Sequence, residues 1–216
     1  EAELDRTWQL FEPYYRELGL PRPAERPTRY HPAFADQIDA LLEARPPAFS
    51  FVFGAPPPAI LAECKRRHIV TIGAATTVAE ARFLDEAGVD LIVATGFEAG
   101  GHRPSFLASA EDSLMGTFAL NQLVADRVAA PVIAAGGIAD GRGVRAALAL
   151  GARGAQLGTA FLACAESGTT DAHRALLLGA GKAEDPAAPP PTVLTRAFSG
   201  RLARGLRNRW TDEMAS

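Results

Sequence analysis

From residue 49 onward, apolar and polar positions fall into blocks of two kinds. Short apolar runs at residues 49–53, 69–73, 89–94, 132–135 and 155–158 read as strands buried on both faces. Between them, stretches near residues 59–67, 78–87, 114–128, 142–150 and 171–178 carry apolar residues at helical spacing. Strands separated by helices of about ten residues predict parallel βαβ units. A sixth strand-like run, residues 192–198, follows the break at Pro189-Pro190-Pro191, and residues 183–191 read as a loop. Upstream, Leu4, Trp8, Phe11 and Tyr15 predict an amphipathic helix over residues 1–18, a packing stripe rather than a cofactor box. A proline-rich connector, residues 19–32, leads to a second helix over 32–44, with Phe34, Ile38 and Leu41 or Leu42 on one face. The chain thus divides into a helical lead-in (1–48), a run of βα units (49–182), and a loop with an Arg-rich segment (183–216).

The apolar run before residue 95 ends in Gly96-Phe97-Glu98-Ala99-Gly100-Gly101-His102-Arg103, where a glycine pair permits close backbone approach and is followed by an imidazole. The next strand, Pro131 to Ala135, ends in Gly136-Gly137, with Asp140 placed to cap the following helix. Amides at such a helix start stabilise an anion. The strand after that is tipped by Gly158 and Thr159, an amide and a hydroxyl for the same anion. Two adjacent glycine-tipped strand ends match the phosphate grip after the last two strands of a (β/α)8 TIM barrel. On that count residues 49–53 are the fourth strand, and the fold is an incomplete portion of the barrel, about strands 4 to 8 plus a following segment. Such a portion has open sheet edges, which invite aggregation.

The 216 residues suffice for a sizeable core. With 22 basic against 25 acidic residues and a net charge of −3, the chain lacks a nucleic-acid signature. Arg201, Arg204, Arg207 and Arg209 form only a local basic segment. No apolar run reaches the roughly 18 residues needed to span a bilayer, and residues 1–6 lack the basic-then-apolar pattern of a signal peptide. A cytoplasmic protein is expected. Two cysteines, Cys64 and Cys164, are too few for a disulfide framework or a metal site, and both are expected reduced and buried.

Four segments, Glu98 to Arg103, Ala134 to Gly143, Gln156 to Thr159 and Ser199 to Gly205, together resemble the nitronate monooxygenase family, formerly called 2-nitropropane dioxygenases. The likeness runs through most of residues 49–208. It implies an FMN-dependent flavoprotein that oxidises alkyl nitronates with molecular oxygen, with nitroalkanes as further candidates. It also implies that flavin contacts from the first strands, and a serine after the Arg-rich segment, belong to parts not in this chain, so that the chain is an internal portion of a longer protein. His102 becomes the catalytic candidate, as base for a nitroalkane α-proton or as partner of an anionic nitronate. Gly100 and Gly101 approach the flavin edge, while Gly136, Gly137, Gly158 and Thr159 hold its phosphate. Gln156 and Leu157 contact the cofactor through backbone. Thr95 stands where many members have Gln, and the Gly73-Ala74-Ala75-Thr76-Thr77 stretch lacks a lysine found in some relatives.

His31, His68 and His173 read as surface or capping residues. Ser105, Ser109 and Ser113 lie in a loop whose length predicts a lid over the catalytic face. No Gly-x-Ser-x-Gly elbow is present. Glu98 reads as fixing its own loop rather than pairing with Asp112. Two alternatives remain: an FMN-dependent enoyl-acyl-carrier-protein reductase using NADH, and a non-catalytic flavin- or phosphate-binding subunit. A homo-oligomer is compatible with the sequence, with no residue singled out for it.

Overall fold

The computed structural model describes residues 2–24, 32–179 and 191–215. His31 and most of the loop over residues 183–191 therefore lie outside the described residues. Two compact units are present, Glu1–Glu43 and Ala44–Ser216. In the first, helix α1 (Ala2–Glu17) stacks Trp8 edge-on against Tyr15 at 5.0 Å, and Arg22 lies over the Trp8 ring. Helix α2 begins at Phe34 and ends at Ala44, and it buries Ile38 and Leu42.

The second unit begins with β1 (Ala48–Phe51), α3 (Pro58–Arg66), β2 (Val70–Ala75), α4 (Val78–Glu86) and β3 (Leu91–Thr95). A two-residue strand, β4 (Gly101–His102), precedes a long loop and α5 (Thr117–Ala125). Then come β5 (Val132–Ala135), α6 (Gly141–Ala149), β6 (Gly154–Gln156), and two short helices, α7 (Thr159–Leu162) and α8 (Asp171–Leu177). The unit closes with β7 (Thr192–Thr195), β8 (Ala203–Leu206) and α9 (Arg209–Glu213).

Five strands form one parallel sheet in the order β1-β2-β3-β5-β6, the sequential winding of consecutive (β/α)8 units. The fold is α/β and a portion of a barrel. Strand alternation sends Ala75, Ile92, Ala94 and Val132 to the helix-covered face, where Leu84, Leu120 and Val124 pack on them. Each such fully buried aliphatic side chain contributes about 1.5–3 kcal/mol. Ala74, Val93 and Ala135 form the opposite, inner face with Ile72 and Ile133.

The sixth strand-like run does not extend this sheet. Residues Thr192–Thr195 pair antiparallel with β8, which in turn pairs with β4, so a separate three-stranded sheet, β4-β8-β7, covers one end of the strands. Neither β4 nor β8 is predicted from the sequence, because a two-residue strand and an Arg-Gly stretch carry no periodic apolar signal. Cys64 is buried, and burial pushes its thiol up from the ordinary range. Cys164, expected buried, is instead half-exposed.

Candidate functional site at the carboxyl ends of the strands

In a parallel sheet all carboxyl ends share one edge. Here that edge gathers Phe53, Thr76, the segment from Thr95 to His102, Gly136-Gly137 and Gly158-Thr159. The first requirement is backbone packing. Glu98 reaches across to the start of α5, where its carboxylate accepts from the Thr117 amide at 2.9 Å and the Thr117 hydroxyl at 2.8 Å. This cap, on an N-terminus whose own N-cap is Gly116, starts the helix at Thr117 rather than at the predicted residue 114. Glu98 thus fixes its loop, while Asp112 pairs with Ser109 instead.

The same contact dictates Gly96. A Cβ there would sit 2.0 Å from the Thr117 hydroxyl and 2.5 Å from its Cα and N. Gly136, at φ +116°, is similarly pressed, with Ala99 N only 2.9 Å from an added Cβ. Gly96→Ala is therefore expected to destabilise the protein by at least about 1–3 kcal/mol, the range for overpacking a filled site. Thermal unfolding by circular dichroism checks this, at roughly 2–4 °C of Tm per kcal/mol for a domain of this size. An unshifted melting curve would contradict the close packing.

Around this framework the predicted ligand-binding residues converge. A Cβ on Gly100 would lie 2.8 Å from the Thr159 hydroxyl, and one on Gly137 would lie 3.3 Å from the Glu98 Cβ. The glycine pair after β3, the glycine pair after β5 and the tip of β6 are therefore neighbours. Among the described residues, the amides of Gly136, Gly137, Gly158 and Thr159 donate no backbone hydrogen bond. No side chain caps α7 at Gly158, and nothing lies within 4 Å of a Cβ built there. Free amides, a hydroxyl and open space fit a phosphate group.

The helix α6 is not part of that grip. Asp140 caps it as expected, but its own carboxylate takes the amides of Arg142 at 2.8 Å and Gly143 at 3.2 Å. Its bonds from the Arg142 side chain and from these amides hold the carboxyl down at about 2. Leu157 turns to the helix side, packing with the Ala134, Ile138, Ala147 and Ala152 cluster, which leaves only its backbone toward the edge. Gln156 is exposed, opposite Ala135 in register. Thr95 is buried with its hydroxyl turned to the carbonyl of Val93 at 3.4 Å.

His102 is exposed in β4, opposite Ala203 of β8. Its Nε2 lies 2.6 Å from the Ser199 hydroxyl, and its ring meets Phe53 edge-on at 6.2 Å. Phe53 adopts φ +64°, and the Arg201 guanidinium lies over its ring at 4.3 Å. Arg204 ties the loop to the hairpin, donating to the Phe97 carbonyl at 3.0 Å and to Thr192 at 2.9 Å. The Arg-rich segment is thus a scaffold for the His102 strand.

Beside His102, Arg103 is buried and bonds the carbonyls of Thr76, Thr95 and Ser113 together with the Ser113 hydroxyl. Burial pulls its guanidinium down to about 10, against the opposing pull of Glu80 and Glu98, so it remains a cation at neutral pH. Glu80 is fully buried and accepts from the Thr76 amide and hydroxyl and from the amides of Phe106 and Leu107. These two residues pin the loop after His102 at both ends, and Phe106 packs on Phe83 at 5.6 Å. Movement of this loop as a lid would break buried charge-assisted bonds, worth about 1.5–3 kcal/mol each. In the structure the loop stands as a wall of the site, tied down by these bonds. Arg103, Glu80, Ser199 and Phe53 join this candidate site in the structure without having been expected there from the sequence. Only Arg103 and Ser199 lay within the motifs singled out there.

The sequence matches the nitronate monooxygenase family over residues 6–216. It is 44% identical to a nitronate monooxygenase of Paraburkholderia phytofirmans over 214 residues, which cover 98% of this chain and 57% of that protein. A probable nitronate monooxygenase of Staphylococcus aureus is 42% identical over 215 residues, covering 99% of this chain and 58% of the relative. The chain therefore spans under two thirds of the length of these relatives. Among solved structures, nitroalkane oxidase from Streptomyces ansochromogenes superposes with a TM-score of 0.76 at 42% identity, over 83% of this chain and 50% of that one. FabK from Thermotoga maritima superposes with a TM-score of 0.69 at 34% identity, over 85% of this chain and 54% of that one.

Proposed function

The chain belongs to the nitronate monooxygenase family, and on that footing we propose that it carries the phosphate grip and the catalytic histidine of a cytoplasmic, FMN-dependent oxidoreductase. The reaction is oxidation of alkyl nitronates by molecular oxygen to a carbonyl compound and nitrite. The observation that carries this reading is the convergence of Gly100, Gly137 and Thr159 on one sheet edge, with the exposed His102 ring beside it.

FMN, when bound, supplies the redox centre at which the nitronate is oxidised. The amides of Gly136, Gly137, Gly158 and Thr159, with the Thr159 hydroxyl, hold its phosphate. Gly100 and Gly101 would allow close backbone approach to the flavin, and Gln156 and Leu157 would offer it backbone groups. Thr95 underlies the site from the end of β3. His102 removes the α-proton of a neutral nitroalkane, and in its protonated form attracts the nitronate anion. Glu80 and Arg103 hold the wall that excludes water from one side.

The visible spectrum of the purified full-length protein, followed by separate anaerobic mixing with a nitronate and with NADH, tests the reading. A flavin spectrum bleached by the nitronate and not by NADH is the expected result. Bleaching by NADH alone would establish the enoyl-acyl-carrier reductase alternative, and a colourless protein the non-catalytic subunit. The reductase has less support, since the relatives described above are named nitronate monooxygenases and the nitroalkane oxidase superposes with a TM-score of 0.76 against 0.69 for FabK.

A further inference from the structure

His102 and Ser199 stand 97 positions apart, yet the Ser199 hydroxyl lies 2.6 Å from His102 Nε2. This hydroxyl is held independently of the histidine. The turn that carries it is closed by the Gly200 amide donating to the Arg196 carbonyl at 2.8 Å and by the Arg196 side chain donating to the Gly200 carbonyl at 2.9 Å. Trp210 Nε1 donates to the Ala197 carbonyl at 3.1 Å, fixing the turn from a third side. The Arg201 amide donates to the Ser199 oxygen itself at 3.4 Å. On the other side of the imidazole, among the described residues, Nδ1 has no hydrogen-bond partner.

We propose that Ser199 is a positioning residue for His102, its oxygen accepting the Nε2 proton so that unprotonated Nδ1 is the nitrogen presented to the substrate. A serine hydroxyl has two acceptor sites and one proton; the Arg201 amide takes one acceptor site, and in the proposed arrangement the second accepts the Nε2 proton. In the neutral ring only one nitrogen carries a proton, so a fixed acceptor at Nε2 makes Nδ1 the base. In the proton-transfer step the α-C–H bond of a neutral nitroalkane breaks, a new N–H bond forms at Nδ1, and the carbon electron pair moves into the nitro group to give the nitronate. The imidazolium then donates more strongly from Nε2 to the Ser199 oxygen. This assignment rests on the nitronate monooxygenase reading for its substrate, but its geometry does not depend on flavin.

Two measurements test it. In protein labelled with 15N-histidine, the His102 resonances, identified by their loss in His102→Asn, should show a protonated Nε2 and a bare Nδ1 in the neutral ring. A ring protonated at Nδ1 overturns the proposal. In flavin-loaded protein, Ser199→Ala should lower kcat with a neutral nitroalkane roughly tenfold, the effect of one hydrogen bond to a developing charge. The nitronate, which needs no deprotonation, should suffer a smaller loss, and Ser199→Thr, which keeps the hydroxyl, should restore the parent ratio between the two substrates. Equal losses with both substrates, or none in Ser199→Ala, overturn the proposal. The parent reading fails by a different result, an unimpaired His102→Asn, and the ring spectrum is measured without turnover.

Discussion

Gly158→Asp strips FMN from the protein while leaving it folded. The position has room for a side chain, since nothing lies within 4 Å of an added Cβ and φ is negative, at −110°. What changes is the space in front of the free amides, into which the aspartate brings a negative charge. Two like charges about 4 Å apart near a protein surface repel by about 4 kcal/mol, roughly a thousandfold in affinity. The flavin-to-protein absorbance ratio after gel filtration should therefore collapse, while circular dichroism and the melting curve stay near those of the parent. Gly158→Ala, which adds bulk without charge, should lose less. Full flavin occupancy in the folded aspartate variant would place the phosphate elsewhere.

His102→Asn separates the two forms of the substrate. Asparagine preserves polarity at the end of β4, but it cannot take up a proton. Neutral nitroalkanes, which must lose an α-proton, should react about 10²–10⁴-fold more slowly, the usual consequence of removing a general base. Nitronates arrive deprotonated and lose only the attraction of the imidazolium, so their loss should be smaller and lie mainly in KM. Steady-state oxygen consumption with each form, at matched flavin content, reads the difference. If the parent oxidises nitronates alone, the histidine is a binding group. If the variant is unimpaired with both forms, His102 has no catalytic part.

The chemistry that these two variants address is unevenly visible in the chain. Gly136-Gly137 and Gly158 stand out in sequence because they end apolar runs, whereas the absence of space for a Cβ at Gly96 and Gly136 comes from tertiary contact with Thr117. The histidine is legible because it follows Gly100-Gly101. Its partner is not, since nothing near residue 199 indicates that a turn between two later strands will close on a residue 97 positions earlier. The α6 N-terminus shows the opposite error. Asp140 signals a cap correctly, yet the same signal suggests amides open to an anion, and only the tertiary structure shows that the aspartate takes those of Arg142 and Gly143 itself.

By itself, the sequence determined the alternation of strands and helices, the parallel α/β class and the glycine-tipped strand ends, because periodicity and the steric needs of glycine are local properties. Tertiary structure alone decided where α5 starts, since its cap, Glu98, lies 19 positions away from Thr117. It also decided that residues 192–195 leave the main sheet for a separate antiparallel one, a choice made by pairing partners rather than by apolar pattern. The clamp of Glu80 and Arg103 belongs with these: a buried carboxylate and a buried guanidinium look like ordinary surface charges in a sequence, and only the backbone groups gathered around them account for their burial.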